Sequence, residues 1–353
     1  MDIQKLLQMC IQYKSSDLHI MVGIQPHFRI YGKLVPVPDT QPVTPEMVKD
    51  LIFSLLLDEQ KELLQIDKEI DFSYSLPSGE RFRANAYNER GNLAIALRAI
   101  PSRIASIEEL GLPAILNDLA DLKQGLILVT GPTGHGKSTT QASMIDRINK
   151  NRSEHIVTIE DPIEFVFNPQ KSIVSQREMH SDTHSWSVAL KSVLREDPDV
   201  VLVGEMRDYE TIAAALTIAE TGHLVFATLH TNSAAQTINR IVDVFPDEQQ
   251  GQIRSQLSST LEAVLSQRLI PTVDDKRVAA MEVLLATPAV QNTIRESKIH
   301  LINNIMTTSS EVGMITMEKA LGDLYQRKLI TLDTARDYAQ NPEELNRLIG
   351  LKS

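Results

Sequence analysis

At 353 residues the chain is long enough for two domains, each with its own core. Hydrophobic residues make up 42% and charged ones 23%, ordinary for a globular protein, and no apolar run approaches the roughly 18 residues needed to span a bilayer. A net charge of −11 argues against a nucleic-acid partner, which wants a basic field, although a local basic channel would be compatible with it.

The first twenty residues read as a helix that gives way to a strand near "SSDLHI". They lack a basic stretch followed by an unbroken apolar core, so a cytoplasmic protein without a secretory signal is expected. Cys10 is the single cysteine, which excludes intrachain disulfides and cysteine-cluster zinc sites. Lying among Leu6, Leu7, Met9 and Ile11, it reads as a small buried apolar residue. "PHFRIYGKLVPV" reads as a hairpin turning at Gly32. "TPEMVKDLIFSLLLDEQKELLQ" starts a helix at Thr44, Pro45 and Glu46 and runs on with helical apolar spacing. "RFRANAYNERGNLAIALRAI" returns to strands, with Phe82, Ala84 and Ala86 on one face and Arg81, Arg83 and Asn85 on the other.

The expected organisation is a small α+β domain over residues 1–100, a linker over 101–115 marked by Pro101, Gly111 and Pro113, and a second domain over 116–353. In the second domain apolar β-branched runs ("GLILVTG", "HIVTIED", "DVVLVGE", "HLVFATLH", "RVAAMEVLLA") alternate with helical stretches. That alternation indicates a parallel sheet covered on both faces. The tail reads as short helices in which Met306, Met314 and Met317 pack.

"GPTGHGKST", Gly131-Pro132-Thr133-Gly134-His135-Gly136-Lys137-Ser138-Thr139, follows an apolar strand and opens a helix, as a phosphate-binding loop requires. Its glycines let successive N–H groups turn inward toward phosphate, and the helix N-terminus adds partial positive charge. Lys137 would reach the β- and γ-phosphates of ATP, and the Ser138 hydroxyl would ligate Mg²⁺. In an open α/β sheet ligands sit beyond the carboxyl ends of the strands. Three strands end there with suitable chemistry: Glu160 and Asp161, with Glu164 just beyond, then Glu205, then His230. His223 begins its strand and would stand about 23 Å from His230 at 3.3 Å per residue.

Together these residues resemble the type II/IV secretion ATPases, and within them the type IV pilus retraction branch. "GPTGHGKST" looks like the family's Walker A motif, "TIEDPIEF" like its Asp box, "DVVLVGEMRD" like its Walker B motif and "TGHLVFATLHT" like its His box. The likeness runs from "SSDLHI" to about residue 340. It implies an α/β protein in which a RecA-like, parallel-sheet P-loop ATPase domain follows a smaller PAS-like α+β domain. It also implies that Glu164 activates water, that Glu205 acts through Mg²⁺ and that His230 senses the γ-phosphate. The family further implies a homo-hexamer at the inner membrane, working on the platform protein of the pilus machinery. In that ring arginines of the N-terminal domains reach the nucleotide, and Arg81, Arg83 and Arg98 sit in the matching strands. Extension and secretion ATPases usually carry a tetracysteine module and an extra N-terminal domain, neither of which fits a single cysteine and this length. "AVQNTIRE", residues 289–296, keeps Ile294, Arg295 and Glu296 of the retraction segment "AIRNLIRE", while its first half differs. At position 135 the family usually has Ser, where this chain has His135; the backbone N–H there still serves phosphate.

Overall fold

Tyr31 and Gly32 both take positive φ, 48° and 79°, at the first hairpin, so its two-residue turn has the twist that joins antiparallel strands. In the computed structural model, which describes residues 2–101 and 103–351, the chain divides into units Met1–Arg103 and Ile104–Ser353. The first unit contains strands β1 (Asp17–Ile20), β2 (His27–Ile30), β3 (Lys33–Pro36), β4 (Glu69–Ser75), β5 (Arg81–Glu89) and β6 (Asn92–Ala99). They form one antiparallel sheet in the order β3-β2-β1-β6-β5-β4. Phe82, Ala84 and Ala86 of β5 bury with Leu6, Leu7, Val48 and Ile52 of the helices, so the alternation of β5 selects the core face. Cys10 is buried in the same core.

The long helix expected after Thr44 is two helices, Pro45–Phe53 and Asp58–Asp67. Thr44 caps the first by accepting from the Met47 amide, as its sequence suggests. The second starts afresh because Leu57 is extended (φ −68°, ψ 159°) and the Gln60 side chain reaches back to the Leu57 amide. Continuous apolar spacing hid this break; the alternative hydrogen bonds of Ser54 and Gln60 made it.

The second unit contains β7 (Gly125–Thr130), β8 (His155–Glu160), β9 (Ile173–Glu178), β10 (Val200–Val203), β11 (Leu224–Leu229), β12 (Leu261–Pro271) and β13 (Arg277–Leu285). Their order is β13-β12-β7-β11-β10-β8-β9. From β12 to β9 every pairing is parallel, but β13 returns antiparallel to β12, which corrects the reading of "RVAAMEVLLA" as one more parallel strand. A hairpin needs no crossover helix, and the chain between Pro271 and Arg277 is too short for one. Both faces of β7 are buried: Leu126 and Leu128 join one apolar layer, Ile127 and Val129 the other. Residues 104–115, read as linker from composition, count with this unit, and Ile107 and Leu112 bury under its sheet. Met306, Met314 and Met317 are buried packing residues.

Candidate active site

The strand order puts the carboxyl ends of β7, β11, β10 and β8 side by side, so the loop after β7 neighbours the residues that follow the other three. Gly136, at φ 84°, is the N-cap of the helix Lys137–Asn151, whose free N–H groups open toward the loop. Lys137 is buried in its ring, where Nζ donates to the Gly131 carbonyl at 2.8 Å and the Pro132 carbonyl at 3.0 Å. Burial pushes the Lys137 pKa down and Glu205 opposes that shift. Ser138 is exposed at the start of the helix.

Glu205 is aimed by the backbone on either side of it. The Gly204 amide donates to the Ile159 carbonyl at 2.8 Å and the Met206 amide to the Thr228 carbonyl at 3.0 Å, while the Thr228 hydroxyl donates to the Gly204 carbonyl. The residue between them projects onto His230, whose Nε2 lies 3.0 Å from Glu205 Oε1. A carboxylate at Nε2 calls for the N–H there, which leaves Nδ1 of the neutral ring to accept. Nδ1 stands 3.4 Å from Thr133 Oγ1 and 3.5 Å from Lys137 Nζ. Partial burial works against the Glu205 charge, yet Arg207 (Nη2 to Oε2, 2.8 Å), His230 and Lys137 together hold its carboxyl below the usual range. Glu205 is therefore ionised at neutral pH.

Glu160 is the most deeply buried acid of the group, 7% exposed. It accepts from Thr158 Oγ1 at 2.7 Å, Gln176 Nε2 at 3.3 Å and the Glu164 amide at 3.4 Å. Burial nonetheless pushes its pKa up to about 7. Glu164 itself is exposed, anchored to Glu160 through its backbone rather than its carboxylate. Asp161 lies with Trp186, Glu205 and Arg207 around a small cleft.

His230, Lys137, Thr133 and Glu205 thus converge within hydrogen-bond reach, with Glu160 and Glu164 one strand further on. Magnesium favours hard oxygens and commonly takes one or two protein ligands, completing its shell with water and phosphate. One serine hydroxyl and one ionised carboxylate fit that requirement. Among the described residues no cluster of three or more His, Cys, Asp or Glu offers an all-protein metal cage. His223 makes its bonds locally, to Thr221 Oγ1 and the Ile218 carbonyl.

Arg81, Arg83 and Arg98 belong to the first unit. Arg83 and Arg98 are register partners across β5 and β6, and Arg98 in turn faces Asp17 on β1. Arg98 Nε donates to Asp17 Oδ1 at 2.9 Å, so this guanidinium is held by its own sheet.

Gln267 of β12 was not among the residues singled out from the sequence, yet it touches the phosphate loop at both ends. A Cβ on Gly131 would lie 2.2 Å from the Gln267 carbonyl oxygen, and one on Gly136 would lie 2.8 Å from its Nε2. The available signal was the polar stretch Ser266-Gln267-Arg268 interrupting the apolar residues of "LEAVLSQRLI".

Behind the site, Glu282 of β13 accepts from the Ala234 amide at 2.6 Å, pinning the start of the helix Ala234–Asp243 just past His230. Burial, with Glu318 nearby, pushes Glu282 up to about 7. An acid whose folded pKa is raised contributes stability at low pH, lost as pH climbs from about 4.5 through 7. Glu282→Gln keeps one acceptor oxygen, for the Ala234 amide, and removes the charge. The expected result is a shallower fall in melting temperature between pH 5 and 8, with the variant higher by about 2–4 °C at pH 8 for each kcal/mol recovered. A thermal-shift series across that window checks it; a variant-to-parent difference independent of pH would contradict it.

A family model described as type II/IV secretion system protein matches residues 1–341. The chain belongs to this family. Among the type II/IV secretion system proteins it is 46% identical over 343 residues to the type IV pilus retraction ATPase PilT of Pseudomonas aeruginosa, covering 97% of this chain and 99% of that one. It is 49% identical over 339 residues to a twitching motility protein of Neisseria gonorrhoeae, covering 95% and 90%. A crystal structure of the pilus retraction motor PilT with bound ADP superposes at a TM-score of 0.92 over 98% of this chain and 99% of that one, at 46% identity. The ATPase DotB of Legionella pneumophila matches at TM-score 0.83 and 28% identity over 95% and 94%.

Proposed function

We propose that this protein is a motor ATPase that hydrolyses ATP to power type IV pilus retraction, and hence twitching motility. The observation that carries the reading is the end-to-end match to PilT, 97% of one chain against 99% of the other, over a loop and acids that converge as ATP hydrolysis requires. By contrast, the type II secretion system protein E of Klebsiella pneumoniae is 35% identical over 290 residues. That supports retraction over secretion or pilus extension.

In this reading the loop N–H groups between Gly131 and Thr139, Pro132 excepted, and the Lys137 ammonium hold the triphosphate. Ser138 and Glu205 hold Mg²⁺, which when bound neutralises charge developing on the phosphates. Glu164, exposed and tethered through its amide to Glu160, accepts a proton from the attacking water. His230, fixed by Glu205, meets the γ-phosphate. Glu160 positions this acid loop. Subunits assemble as a homo-hexamer in which Arg81, Arg83 and Arg98 face nucleotide, Arg98 after release from Asp17. The ring works at the inner membrane on the platform protein of the pilus machinery, from the cytoplasmic side. No helix among the described residues is long and apolar enough to cross a membrane.

Deleting the gene separates the alternatives. A retraction motor predicts that surface pili accumulate and twitching stops; loss of pili would mean extension instead. A nucleic-acid translocase would show a salt-sensitive shift of single-stranded DNA, which a chain with 5% aromatic residues and net charge −11 does not favour.

A further inference from the structure

β12 outruns its neighbour. Its pairing with β7 ends at Ser266 opposite Thr130, so the next three residues of β12 border the phosphate loop instead of a strand. A part-buried backbone N–H on that edge takes its partner from the loop itself. The partner is an imidazole: the Leu269 amide donates to His135 Nδ1 at 3.0 Å. One residue pair away, Gln267, 3% exposed, uses both ends of its amide. Its Nε2 donates to the His135 carbonyl at 2.8 Å, and its Oε1 accepts from Thr140 Oγ1 at 2.6 Å. Gly131 and Gly136 both press against this same residue. The loop is therefore moulded on β12 from its first glycine to the first turn of its helix.

We propose that His135 and Gln267 are positioning residues that latch the phosphate loop to β12 in the curvature that receives phosphate, and that the latch closes only with a neutral His135. This deepens the ATPase reading and rests on it.

The chemistry follows from the donor on the other side. A backbone N–H can only donate, so Nδ1 must accept, and the remaining proton sits on Nε2. An imidazolium has no free acceptor and would leave the Leu269 amide unpaired. The groups facing the ring all discourage protonation. Burial acts first, followed by the cations Arg268 of β12, Lys137 of the loop and Arg277 of β13, and His135 is held below its ordinary value. At neutral pH the latch is closed. As pH falls through that lowered value it opens, and the loop loses its mould.

The test measures affinity for a fluorescent ATP analogue with the full chain at pH 7.5 and pH 5.5. His135→Phe keeps an aromatic ring without an acceptor, and Gln267→Leu keeps bulk without the amide. His135→Phe, which loses one hydrogen bond, should weaken binding about three- to tenfold at pH 7.5, and Gln267→Leu, which loses two, should weaken it more. His135→Asn places a side-chain oxygen near the position of Nδ1 and should recover most of the affinity. Because that amide does not titrate, the ratio of its affinity to the parent's should favour the variant at pH 5.5. A His135→Phe protein that binds like the parent would overturn the latch, as would a His135→Asn protein as weak as His135→Phe or a ratio that ignores pH. Failure of the parent to bind the analogue at either pH would instead overturn the ATPase reading beneath it.

Discussion

Lys137→Ala is expected to abolish useful ATP binding. The ammonium donates to two loop carbonyls, Gly131 and Pro132, and stands 3.5 Å from His230 Nδ1, so it sits at the focus of the ring on which phosphates would rest. Hydrogen bonds to charged groups contribute about 1.5–3 kcal/mol each, and two of them to a triphosphate correspond to roughly 10²–10⁴ in affinity. Removing the side chain also strips both carbonyls of a partner, so the loop should loosen and some thermal stability should go with it. Titration calorimetry with an ATP analogue reads the first effect and a melting curve the second. A dissociation constant within threefold of the parent's would show that the triphosphate is held elsewhere.

Glu205→Ala should separate binding from turnover. The carboxylate lies two strands away from the loop glycines, is ionised, and is fixed by His230 at 3.0 Å and Arg207 at 2.8 Å. Its removal takes away a negative charge that would hold the metal and orient His230, while leaving the loop amides and Lys137 in place. Loss of one preorganised electrostatic group costs about 10²–10³ in turnover, whereas nucleotide affinity should change only a few-fold. Steady-state phosphate release, alongside calorimetry, checks both numbers. A variant that hydrolyses ATP at more than a tenth of the parent's rate would remove Glu205 from the chemistry. Arg207, its ion-pair partner, is 73% exposed, and such a pair contributes little to stability, so a general loss of fold is not the expected explanation for a dead variant.

The phosphate loop was legible because everything that defines it is local. Its glycines, the lysine and the serine lie within nine residues, and the strand before and helix after announce themselves by apolar pattern. The first hairpin was legible for the same reason, since Tyr31-Gly32 needs positive φ at a two-residue turn. Where the reading failed, the deciding partner was distant in sequence or the signal was masked. The break between Pro45–Phe53 and Asp58–Asp67 was hidden under unbroken apolar spacing. The antiparallel return of β13 could not be told from a parallel strand, because both are continuous apolar runs when buried on two faces.

Sequence alone determined that a phosphate loop exists, that acids and a histidine close three later strands, and that the N-terminal part folds around alternating strands. These are properties of short windows, set by backbone sterics and by the periodicity of burial. Tertiary structure alone decided that β11 lies between β7 and β10, so that His230 reaches both Lys137 and Glu205. It also decided that β12 runs on past Thr130 to bring Gln267 and Leu269 against a loop more than 130 residues earlier in the chain. Strand order and overrun are outcomes of packing two apolar layers on one sheet, and no local spacing encodes them.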